Sequence, residues 1–173
     1  MSPHPWNRLL AWVIDWACVL GWVAITAAVG VPLLLSGVTR SLTVGALNVI
    51  ATVVMVVPIT FGLAALESSA WESSIGKRVR GLTVVDARTS GRVSFRRALA
   101  RNALKIALPW TIGHAAVFGI VDASASGSMP PSIWLLTAVA YLLPIAYVLS
   151  LFVGSGRTLY DRIAGTVVVK DAR

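Results

Sequence analysis

Four long apolar runs, at about 9–35, 44–66, 104–123 and 132–153, set the terms on which this chain of 173 residues can fold. Each is near the roughly 20 residues that carry an α-helix across the hydrocarbon core of a bilayer. Helices of a soluble bundle keep a polar face for water, and these runs have almost none. Only 13% of the residues are charged, against about 25% in an ordinary soluble domain. The reading is an all-α membrane protein with four transmembrane helices. The loop 67–103 and the tail 154–173 then lie outside the hydrocarbon, with a small β element and a short amphipathic helix among them, in one domain spanning 1–173. The first run is too long for a secretory signal peptide and carries Asp15 where that peptide would be apolar. It reads as a retained helix. The single cysteine, Cys18, forbids an intrachain disulfide and gives no basis for a metal cluster.

The net charge of +8 would suggest nucleic acid in a soluble protein. Its distribution points elsewhere. From Glu67 to Lys105 there are nine Lys/Arg against three Asp/Glu, and the tail adds Arg157, Arg162, Lys170 and Arg173. The two short connections carry only Arg40 and Asp122. Four spans place both termini and the long loop on one side, and the excess of cations assigns that side to the cytoplasm. The expected partners are anionic lipid at that face, and either a membrane protein or a second copy of the chain. Nucleic acid is not expected.

Asp15 is the costliest residue in this scheme. A carboxylate in the bilayer centre costs roughly 2.5–3.5 kcal/mol on insertion scales, so it needs a partner or a polar interior. Arg8 lies seven residues earlier, on the same face but about 10 Å away along the axis. A bridging group is therefore expected, with water, Asn7, Arg101 and Lys105 as candidates. In the second run Asn48, Thr52 and Thr60 share a face and could line a polar path. His114 in the third run titrates near neutral pH, although a packed interhelical histidine is the commoner arrangement. Pro58 frees the carbonyl of Val54 one turn upstream, and Pro144 sits similarly in the fourth run.

In the long loop, Ser74-Ile75-Gly76-Lys77 superficially suggests a phosphate loop. The full glycine–lysine–serine/threonine spacing is absent, and Arg78 follows the lysine. Val79–Val85 reads as a strand, followed by a turn over 86–91. Ser94 is a candidate N-cap for an amphipathic helix with Phe95, Ala98, Leu99 and Asn102 on one face, lying along the membrane before the third span. The tail segment from Arg162 to Asp171 echoes the segment from Arg78 to Asp86. Both have a basic start, a glycine, a β-branched run and an acidic residue near the end. These two segments are expected to pair.

Three blocks in order carry a family resemblance: Arg8-Leu9-Leu10-Ala11-Trp12-Val13-Ile14-Asp15, then Ser74 to Val85, then Leu159-Tyr160-Asp161-Arg162-Ile163-Ala164-Gly165. Together they resemble the RDD family of bacterial integral membrane proteins, named for one arginine and two aspartates. Arg8 matches the arginine, Asp15 the first aspartate and Asp161 the second. Ile75 stands where the family often has proline, and Tyr160 where histidine is common. The resemblance implies a compact four-helix domain in the bacterial inner membrane, with transport, including sodium–proton exchange, suggested for some members.

No nucleophile–base arrangement, cofactor motif or metal spacing is legible, so an enzyme is not expected. A scaffold or accessory subunit is the first expectation. The alternative is a cation/proton exchanger or small-solute transporter using Asp15. The residues expected to matter are a charge network of Arg8, Asp15, Arg101, Lys105, Arg157, Asp161 and Arg162, and a polar path of Asn48, Thr52 and His114.

Overall fold

In the computed structural model of the chain, residues 4–170 are described. Asp171 and Arg173 lie outside the described residues. Among the described residues, four helices are long and apolar enough to cross a membrane. They are α1 (Pro5–Leu35), α2 (Val44–Ser68), a continuous helical run over Phe95–Ser126, and α6 (Pro131–Leu149). Between α2 and the third span come the short helix α3 (Ile75–Val79) and strand β1 (Leu82–Asp86). After α6 come the short helix α7 (Leu159–Ile163) and strand β2 (Thr166–Lys170).

The third span has three parts: α4 (Phe95–Asn102), a π-helical turn (Ala103–Ala107) and α5 (Leu108–Ser126). The amphipathic helix therefore does not lie separately along the membrane. It continues without a break into the span and lengthens it to 32 residues. Its inward face also differs from expectation, with Ala98, Arg101 and Asn102 buried and Phe95 exposed. The π turn has a local cause. The amide of Leu108 bonds to the carbonyl of Ala103, five residues back, and the next such donor would be Pro109, which has no N–H. The carbonyl of Leu104 instead accepts from the Tyr147 hydroxyl of α6 at 2.9 Å. Pro58 acts in the same way inside α2. The Val54 carbonyl, four residues upstream, accepts from the indole N–H of Trp22 in α1 at 3.1 Å.

Where the spans meet, Val19, Ile59 and Ile106 pack together with Trp16, Trp22, Leu63 and Trp110 around them. Large apolar side chains cover the outside: Leu20, Ile25, Val29, Val121, Leu135 and Leu142 are all more than half exposed. In water that surface would drive aggregation. In a bilayer it is the lipid-facing surface.

β1 and β2 pair antiparallel, from Leu82 opposite Lys170 to Asp86 opposite Thr166. The expected strand over Val79–Val85 begins later, because Ile75–Val79 forms α3 and the chain turns at Gly81 with φ +61°. A left-handed residue between a helix and a strand favours glycine, which has no Cβ to clash. The sheet packs Val84 and Val168 against Ala64 of α2 and Ala98 and Leu99 of α4. This small core fixes the end of the bundle where the charged residues gather.

Candidate functional site: a buried charge lattice beneath an aromatic cavity

Nine polar side chains, from five helices and from the residues just before α3 and α7, meet at this end. Glu67, in the last turn of α2, is fully buried. Arg101 Nη1 donates to both of its oxygens at 2.7 Å, Lys77 Nζ to one at 2.6 Å and Asn102 Nδ2 to the other at 2.8 Å. Arg101 turns its Nε to Asp161 at 2.8 Å, so one guanidinium bridges two buried carboxylates. Its fixed fork of donors suits that geometry, as a lysine ammonium would not.

Asp161 lies in α7 and is also fully buried. Arg8 Nη2 donates to it at 2.5 Å. Thr158 and Asp161 close a capping box at the start of α7, each side chain accepting from the other's backbone amide. Burial opposes ionisation of this carboxyl, but Arg101, Arg8 and the Thr158 hydrogen bond outweigh it and hold the group down at about 2. Burial raises the neighbouring Tyr160 phenol. That ring packs edge-on to Tyr147 and lies beneath the Arg101 guanidinium.

Asp15 joins by another route. Its carboxylate accepts from the Ser74 hydroxyl at 2.7 Å and from the Gly76 amide at 2.8 Å. Lys77 Nζ also donates to Ser74 Oγ at 3.1 Å. The path from Asp15 thus runs through Ser74, Lys77, Glu67 and Arg101 to Asp161 and Arg8. Gly76 is required for this approach: a Cβ there would overlap the Ala11 carbonyl of α1. The segment that resembled a phosphate loop holds an internal carboxylate.

The structure therefore brings Arg8, Asp15, Arg101 and Asp161 into one lattice but separates Asp15 from direct pairing with Arg8, Arg101 or Lys105. Arg157 and Arg162 stand beside it, bonded to backbone: Arg157 to the Thr166 and Asp161 carbonyls, Arg162 to the Arg157 carbonyl. Arg80 donates to Asn7 at 2.5 Å. Sequence reasoning missed Glu67, Lys77, Ser74 and Asn102. The available signal was Glu67 itself, a carboxylate set at the last turn of an apolar run and followed by a loop rich in cations.

A cavity of about 600 Å³ lies next to the lattice, between α1, the third span and α6. Arg8, Asp15, Lys77, Arg101 and Lys105 line its charged floor. Trp12, Trp16, Trp110 and His114 form one wall, as a row of rings whose neighbouring centroids are 5.6–5.8 Å apart. Pro144, Ile145 and Val148 of α6 face them. His114 lines the cavity, whereas Asn48 and Thr52 do not; these two bond to each other at 3.5 Å along α2. Among the described residues, no group of three His, Cys, Asp or Glu is arranged to hold a metal ion.

Lipid-facing spans stapled at one end by buried ion pairs define an integral membrane protein of the small helical-bundle type. The model of the RDD family matches residues 2–171, and the chain belongs to that family. No match was found among curated proteins. None was found among solved structures.

Proposed function

We propose that the protein is a scaffold or accessory subunit of the bacterial inner membrane, without intrinsic catalysis, with its charged end in the cytoplasm. The observation that carries this reading is the lattice. It fastens the start of α1, the end of α2, α3, α4 and α7 into one block through charges that are almost all internally satisfied. Such a block suits a fixed surface better than a moving gate. Around it Arg78, Arg88, Arg92, Arg96, Arg162 and Lys170 are exposed, as are Trp71, Val79, Phe95 and Ile163. Cations mixed with apolar side chains suit an anionic headgroup layer, and a membrane-protein partner or second copy can dock above it.

Cation/proton exchange has one observation in its favour, that Asp15 and His114 line the same cavity. Against it, the lining includes four basic side chains, Arg8, Lys77, Arg101 and Lys105, and one carboxylate. With Glu67 and Asp161 paired behind it the floor still keeps one cation in excess, which disfavours the cation an exchanger must bind. In proteoliposomes, sodium or potassium gradients should drive no proton movement beyond that of protein-free vesicles. Flux abolished by Asp15→Asn would overturn the scaffold reading. For orientation, a Thr89→Cys variant in a Cys18→Ser background should react with an impermeant maleimide in inverted vesicles. Reaction in intact spheroplasts would reverse the topology.

A further inference from the structure

The cavity has a chemistry that the lattice does not use. Its carboxylate partners, Glu67 and Asp161, sit behind the floor and are absent from the lining, while the cations they hold face inward. Lys105 is different from the other three. It lines the cavity and, among the described residues, makes no hydrogen bond or ion pair. Lys77 and Arg101 crowd it more than Asp15 and Glu67 offset them. An anion bound beside it would relieve that crowding and hold it as the ammonium.

The walls specify the rest of the ligand. Trp12, Ile145 and Leu149 line the cavity while being 38%, 51% and 59% exposed on the outer surface. The mouth therefore opens between α1 and α6 toward the acyl chains rather than only toward water. From Lys105 to His114 the third span runs about 13 Å along its axis, so the lining passes from charged floor to aromatic wall over the depth from headgroup toward bilayer centre. Along that wall Trp16, Trp110 and His114 stack ring on ring.

We propose that this cavity is a binding site for one anionic glycerophospholipid from the leaflet at the charged end. Its phosphate sits on Lys105, with Arg8 and Lys77 nearby, and one acyl chain lies along Trp16, Trp110 and His114. The volume lies within the roughly 300–1,000 Å³ usual for small-molecule sites, so it takes the head and one chain while the second remains in the bilayer. Phosphate alone satisfies the floor; the apolar walls and the mouth in the hydrocarbon select the lipid. The inference does not depend on the scaffold reading.

Delipidated protein in mild detergent, titrated with dioleoyl phosphatidylglycerol and followed by native mass spectrometry, tests this directly. One lipid should bind, with dioleoyl phosphatidylcholine at least about tenfold weaker. Lys105→Gln should remove that preference and Lys105→Arg should retain it. Gly113 lines the cavity, and a Cβ there meets nothing within 4 Å, so Gly113→Leu should fill the site without touching the lattice and abolish binding of either lipid. Both variants keep a wild-type unfolding temperature if only the site is lost. Equal binding of the two lipids would overturn the proposal, as would unchanged binding in Lys105→Gln or Gly113→Leu. Displacement of the bound lipid by millimolar inorganic phosphate would identify a free-phosphate site and overturn it too.

Discussion

The amide of Gly76 lies 2.8 Å from the Asp15 carboxylate, and the backbone there approaches α1 so closely that no side chain fits between. Two of the three blocks that carry the family resemblance are thus in direct contact. Their spacing in sequence, from residue 15 to residue 76, closes a loop that contains the whole of α2. Gly76→Ala must push α3 off α1 and lengthen this hydrogen bond. Overpacking of this kind costs about 1–3 kcal/mol. The unfolding temperature in detergent should fall accordingly, while Gly62→Ala, where a Cβ meets nothing within 4 Å, serves as the control.

Asp15 and Arg8 were legible because charges beside or within apolar runs are conspicuous, and Asp161 from the family resemblance of the closing block. The four spans were legible for the complementary reason, long stretches without charge. The paired strands were legible from the repeated glycine and β-branched pattern. Lys77 was not, because it sits in a segment where charges are ordinary and only the fold carries it inward, whereas Glu67, at the end of an apolar run, was a signal left unread. Arg101 illustrates a second limit. Periodicity over Phe95–Asn102 assumed a helix lying along the membrane surface, whereas α4 runs on through the π turn into the third span with Arg101 and Asn102 buried.

Arg101 is the member that Glu67 and Asp161 share, so its removal should be the most damaging single change in the lattice. Arg101→Met leaves two buried carboxylates each short of a donor. Loss of one partner from a buried pair costs about 3–5 kcal/mol. Arg101→Lys should not rescue it, since one ammonium cannot reproduce donors directed at both carboxylates. Arg162→Met, at an exposed position, should stay within about 0.5 kcal/mol of wild type. Denaturation of the purified variants in detergent ranks all three.

Asp161 gives the lattice an acid limit. Its carboxyl is held at about 2 in the folded protein against an ordinary 3.8, by Arg101 and Arg8 acting against its burial. A depressed carboxyl contributes stability that is complete above the unfolded value and is lost as pH falls through the folded one. Wild type should therefore exceed Asp161→Asn in unfolding temperature at pH 7. The gap should hold to about pH 4 and close as pH falls toward about 2. A gap that stays constant across that window would remove Asp161 ionisation as its source.

Trp22 and Pro58 make a pair that a double-mutant cycle can isolate. Proline at position 58 cannot donate to the Val54 carbonyl, and the Trp22 indole takes the place of the missing amide at 3.1 Å. In hydrocarbon no water competes for that carbonyl, yet measured interhelical hydrogen bonds average only about 0.6 kcal/mol with a maximum near 1.7. Trp22→Phe should cost an amount in that range plus lost ring contact. Pro58→Ala restores an N–H at position 58, which lets the helix satisfy Val54 by itself. In that background the hydrogen-bond part of the Trp22→Phe loss should vanish and only the ring contact remain. The coupling energy is then positive and no larger than one interhelical bond. A value of zero would mean that the indole packs against α2 without holding the carbonyl, and the proline would be tolerated for some other reason.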